Sequence, residues 1–126
     1  MKKIEATIKP FKLDEVKDEL LAIGIEGLSA SEIKGFGRQE EHAETYRGSE
    51  YITDCSSKVK LEVIVPDDLA SPAVAAIQRA AQTGAGDDGK ILVLPIENAI
   101  RIRTGEHGTD VSNVHLAEAL GPKMLC

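Results

Sequence analysis

A chain of 126 residues and 13.5 kDa holds one compact domain, not two. With two Phe, two Tyr and no Trp, its core must be aliphatic, and a core this small leaves little room for a deep private pocket. A formal net charge of −6 argues against broad binding to nucleic acid or to an anionic membrane surface, which needs an excess of Lys and Arg; any bound anion must be held by locally placed cations. The N-terminus MKKIEATIKPF lacks the apolar run and cleavage site of a signal peptide. No segment approaches the roughly 20 apolar residues of a membrane span. Cys55 and Cys126 stand far apart without a zinc spacing, so a reduced cytoplasmic protein is expected.

From Lys3 to Lys9, Ile4, Ala6 and Ile8 alternate with polar residues, which predicts a half-buried strand ended by Pro10. Leu13, Val16, Leu20 and Ile23 recur at helical spacing up to Gly24, predicting an amphipathic helix of about three turns. A second strand is expected between Gly27 and Gly37. The twenty residues from Arg38 to Ser57 carry no sustained period, and a loop of that length in a small domain is functional or disordered by default. Val59, Leu61, Val63 and Val65 then alternate up to Pro66, predicting a third strand. Ser71-Pro72 reads as the start of a second helix with Val74, Ile77 and Ala81 inward, and Ile91 to Leu94 as a fourth strand ended by Pro95. Ile100 and Ile102 give a weaker alternation.

This order predicts an α+β, ferredoxin-like βαββαβ sandwich with two helices on one sheet face. The other face would be exposed in a monomer, and an open sheet of this size normally finds a partner, so an oligomer is expected.

Several stretches carry chemistry. Arg101 and Arg103 flank Ile102; in an extended segment their guanidinium groups would leave one face roughly 7 Å apart, a separation suited to two phosphates of one chain or simply to a solvated strand edge. Thr83-Gly84-Ala85-Gly86-Asp87-Asp88-Gly89-Lys90 allows close backbone approach and supplies a cation before a strand; it is not a P-loop, since Ile91 follows the GK, and it also reads as an ordinary turn. Lys34-Gly35-Phe36-Gly37-Arg38-Gln39 opens the long loop, and Lys58 and Lys60 close it, making a cationic mouth if the adjoining strands pair. From Lys34 to Lys60 five acids balance five bases, with the bases at the mouth and tip. The tip, Tyr46-Arg47-Gly48-Ser49-Glu50-Tyr51, offers contact or modification points, or tyrosines that pack back on the surface.

Taken together, MKKIEATIKPFKLDEV, KGFGRQ, YRGSEY, KVKLEVIVPD, the TG and DGKI of the glycine-rich stretch, and IRIRTGE resemble the P-II nitrogen regulatory protein family along residues 1–106. The resemblance implies a homotrimer of ferredoxin-like subunits that binds ATP or ADP in clefts between neighbours. Phosphate contacts of such proteins fall on Gly37, Arg38, Gly89, Lys90, Arg101 and Arg103, with Asp87 and Asp88 in the same stretch, and nucleoside contacts on Ser29, Gly35, Glu62, Ile64 and Thr83. The resemblance also implies 2-oxoglutarate bound with Mg²⁺ and ATP at the base of the long loop, termed the T-loop (about residues 38–57), through Gln39, Lys58 and Lys9, with Gln39 reaching the metal. A hard cation with an amide oxygen, phosphate oxygens and a keto acid is chemically reasonable. Tyr51 matches a nucleotidylated tyrosine and Ser49 a phosphorylated serine; Arg47, with Tyr46, matches the part inserted into ammonium channels.

Three stretches depart from the family, one of them Cys55, Ser56 and Ser57 in place of a more apolar run. Gly86 and Asp87 replace an aliphatic residue and a glycine, adding a carboxylate that would repel phosphate or help hold a metal. Glu40 and Glu41 replace a basic or small pair. The extension 107–126 exceeds the usual family length and reads as a short helix through Val114, Leu116 and Leu120, as disorder, or as a tag-derived addition. The expected function is a cytoplasmic signal-transduction regulator of nitrogen-metabolism targets, reaching a membrane only through a transporter partner and not contacting nucleic acid. The alternative is a P-II-like sensor of another metabolite linked to inorganic-carbon uptake. No nucleophile and base have a recognisable spacing, so an enzyme is not expected beyond slow ATP turnover.

Overall fold

The structure is a computed structural model that describes residues 1–35, 56–112 and 114. Four strands, β1 (Lys2–Ile8), β2 (Ser29–Gly35), β3 (Ser56–Val65) and β4 (Lys90–Pro95), alternate with two helices, α1 (Leu13–Ala22) and α2 (Asp67–Ala81). The strands form one sheet in the order β2-β3-β1-β4, every neighbouring pair antiparallel. This is the expected ferredoxin-like α+β fold.

The period-2 pattern decides which face is buried. Ile4, Ala6 and Ile8 of β1 and Val59, Leu61, Val63 and Val65 of β3 all point to the helix side and are buried. Val16 and Leu20 of α1 and Ala73, Ala76, Ile77 and Ala81 of α2 complete that core. Alanines on α2 let the helix approach the sheet closely where aromatic side chains are missing. Gly24 adopts φ +94 just past α1, a conformation that costs glycine little and ends the helix.

α2 differs from expectation: it begins at Asp67, four residues before Ser71, and Pro72 lies inside it. Pro66 stands at the N-cap with extended backbone, and Asp67 and Asp68 occupy the first turn, where negative charge meets the positive end of the helix dipole. Pro72, the sixth residue of the helix, lacks the N–H that would have bonded the Asp68 carbonyl, so the helix goes without one hydrogen bond near its start. Asp67 also accepts the Met1 ammonium at 2.6 Å and lies 3.3 Å from Lys2, and these cations hold its carboxyl below the usual range, the N-terminus most strongly.

The face opposite the helices carries an ion-pair array. Lys3 Nζ lies 3.1 Å from Glu5 and 3.5 Å from Glu62, and Lys60 lies 3.9 Å from Glu62. Leu92 and Leu94 of β4 oppose Glu5 and Lys3, so they share this face, and both are exposed.

The segment after β4 corrects a second expectation. Residues 102–104 form a turn rather than an extended run. The Arg101 N–H donates to the Glu106 carbonyl at 2.8 Å, and the Gly105 N–H to the Arg101 carbonyl at 2.8 Å, closing a small hairpin with an Ile100–His107 bridge. The even spacing of Arg101 and Arg103 along a strand therefore does not apply. Beyond it lie a 3-10 turn at Gly108–Val111 and a bridge from Val114 to Ile25. Leu116 and Leu120 lie outside the described residues. No helix among the described residues is long and apolar enough to cross a membrane.

Candidate functional site

One end of the sheet gathers the residues that sequence reasoning placed in different motifs. Ile8 pairs with Val59, so Lys9 and Lys58 leave β1 and β3 side by side. Thr7 pairs with Lys90, which brings the loop ahead of β4 to the same place. Gly35 pairs with Ser56, so β2 and β3 are the hairpin arms that carry the segment between them. Ser56 and Ser57 belong to β3, and the long connection closes before them rather than after.

The 83–89 loop is organised by Asp88. Its carboxylate accepts the Thr83 N–H at 2.7 Å, the Gly84 N–H at 3.0 Å and the Thr83 hydroxyl. These donors, the Thr83 hydroxyl foremost, pull its pKa down to about 2, so it stays ionised at any ordinary pH. Gly89 lies against β1 with φ +119, and a Cβ there would stand 1.8 Å from the Thr7 carbonyl oxygen. No other residue type fits so close an approach.

The lysines converge on this loop. Lys9 Nζ lies 3.0 Å from the Asp87 carboxylate and 3.6 Å from that of Asp88, while Lys58 Nζ donates to the Asp87 backbone carbonyl at 2.8 Å. The Asp87 contact raises the Lys9 pKa, and Lys9 in turn lowers that of Asp87. The Asp87 carboxylate thus faces a lysine. Among the described residues no three His, Cys, Asp or Glu side chains come together as a metal cage. Sequence reasoning named all these residues but not these pairings, since no local pattern links position 9 to position 87.

Other predicted residues lie elsewhere. Ser29 and Glu62 face each other across β2 and β3. Glu62 and Ile64 stand four and six residues along β3 from Lys58, about 13 and 20 Å by strand rise. Arg101 and Arg103 follow β4, whose Pro95 end pairs with Lys2. Five residues, 96–100, join the Pro95 end of β4 to Arg101. Glu106 accepts from Arg101 Nε at 3.0 Å and fixes the guanidinium. Gly37, Arg38, Gln39, Tyr46, Arg47, Ser49 and Tyr51 lie outside the described residues.

Two cavities are lined by described residues alone. A cavity of about 80 Å³ opens between α2 and Asp88–Ile91, below the roughly 300 Å³ of a typical ligand pocket. A larger groove of about 460 Å³ runs between α1 and β2, lined by Leu13, Leu21, Ile25 and Leu28, and holds none of the predicted residues.

Residues 1–106 match the family described as nitrogen regulatory protein P-II. The chain belongs to the P-II family. It is 63% identical over 110 residues to the nitrogen regulatory protein P-II of Bradyrhizobium diazoefficiens and 61% identical to that of Rhodospirillum rubrum, each match covering 87% of this chain and 98% of the relative. Among solved structures it is similar to the Arabidopsis thaliana PII crystallised with citrate, with a TM-score of 0.71 and 36% identity over 86% of this chain and 89% of that one. P-II membership makes this protein one of a family of nitrogen regulators and agrees with the ferredoxin-like sheet. The P-II match ends at the Arg101–Glu106 turn, which the hairpin closes.

Proposed function

We propose that this protein is a signal-transduction regulator. It binds ATP or ADP in the clefts of a homotrimer, takes 2-oxoglutarate beside the nucleotide, and uses the T-loop to control nitrogen-metabolism targets such as an ammonium transporter. The observation that carries this reading is the meeting of Lys9, Lys58 and the glycine-rich loop before Lys90 at one end of the sheet. Arg101 and Arg103 follow β4 through residues 96–100, and in the homotrimer a neighbouring copy would lend its arginines to the cleft. The open sheet face with exposed Leu92 and Leu94 supports such an assembly.

Within such a cleft, Lys90 and the two arginines supply charge-assisted contacts to phosphate oxygens, and Gly89 lets the backbone come close. Lys58 and Lys9 stand at the root of the T-loop and meet carboxylate. Gln39 would supply an amide oxygen to Mg²⁺, a hard cation that would offset the negative charge of phosphate and keto acid. A ligand at the root changes what the loop presents only by binding one loop state better than another. Sedimentation equilibrium tests the assembly: the expected mass is three times the 13.5 kDa chain, and a monomer at micromolar concentration would contradict the reading.

A further inference from the structure

We propose that Asp87 is a built-in competitor for the carboxylate ligand, occupying Lys9 so that a second ligand carboxylate is accepted only by displacing it. This deepens the proposed function and rests on its assignment of Lys9 and Lys58 to a keto-acid site. The two lysines are engaged unequally. Lys58 donates to the Asp87 backbone carbonyl, a dipole that leaves the ammonium charge uncancelled. Lys9 faces two full carboxylates, Asp87 at 3.0 Å and Asp88 at 3.6 Å. Its side chain is only 18% exposed and that of Asp87 31%, so the pair is shielded more than an ordinary surface pair.

The Asp87 carboxylate is also dispensable for the loop. Asp88 ties down Thr83 and Gly84, Gly89 seats the loop on Thr7, and Lys58 is held by the Asp87 main chain, which any residue supplies. What the side chain adds is a negative group on Lys9. A ligand carboxylate therefore docks at Lys58 without competition, whereas one reaching Lys9 must replace an intramolecular partner already in place. The site thus gains little from the second carboxylate of a dicarboxylic 2-oxo acid, and Asp87 sets that preference.

Calorimetry on the full chain saturated with Mg-ATP tests this, comparing 2-oxoglutarate with 2-oxobutyrate, which lacks the distal carboxylate, in wild type and Asp87→Asn. The variant is expected to bind 2-oxoglutarate about three- to tenfold more tightly while its affinity for 2-oxobutyrate moves less than about twofold. Asp87→Ser should repeat the direction. Equal 2-oxoglutarate affinity in wild type and variant overturns the competition while leaving the keto-acid site standing. An equal gain for both acids also overturns it, replacing competition by a general charge effect. Binding of Mg-ATP with no 2-oxoglutarate heat in any of the proteins overturns the keto-acid site and the competition with it.

Discussion

Gly89→Ala is expected to lower the unfolding free energy by about 3 kcal/mol or more, a melting-point drop on the order of 10 °C. Two independent costs add. At φ +119 an L-residue is strained on its backbone alone. The new Cβ would also stand 1.8 Å from the Thr7 carbonyl oxygen and 2.9 Å from its carbon, and these atoms cannot yield freely because Thr7 pairs with Lys90 in the β1–β4 ladder. Relief therefore means parting β4 from the centre of the sheet. Gly84→Ala is the internal comparison: Gly84 has φ +92 with nothing near its Cβ position, so only the backbone cost, about 1 kcal/mol, applies. Thermal and urea denaturation of both variants check this, and equal losses in the two would contradict the packing of Gly89 on β1.

The second large effect is on ligand affinity rather than stability. Arg101→Ala is expected to weaken ATP binding about 10- to 100-fold, the range for one lost hydrogen-bonded charge contact, while leaving melting temperature and oligomeric mass unchanged. The separation follows from the hairpin. Its closing bonds run through the backbones of Arg101, Gly105 and Glu106, which alanine retains. The partly exposed Arg101–Glu106 pair adds little to stability. Equilibrium binding of a fluorescent ATP analogue gives the affinity, and wild-type affinity in the variant would remove Arg101 from the site.

Much of the fold is legible in the residue order because one sheet face is buried and the other is not. In β1 and β3 every second residue is aliphatic, and a register slip of one would expose the whole set. The start of α2 is less legible. Ser71-Pro72 satisfies a helix-start pattern, but Pro66-Asp67-Asp68 satisfies another, and the choice between them is supported by the Met1 ammonium and Lys2, which only the folded sheet brings to Asp67. Ile100 to Arg103 reads as strand by alternation, yet Gly105 at φ +79 turns the chain back within a few residues. The candidate site was legible as residue types and not as geometry. Glycines and cations mark the 83–90 loop, but the contact of Asp87 with Lys9 joins distant segments, and the turn that closes Arg101 on Glu106 appears only in the folded chain.

Keto-acid sensing through the bound nucleotide, as proposed above, is decided by isothermal titration of 2-oxoglutarate into the wild-type protein, once with saturating Mg-ATP and once without nucleotide. Saturable heat with Mg-ATP and none without it is the predicted result; absence of heat in the presence of bound Mg-ATP would contradict it.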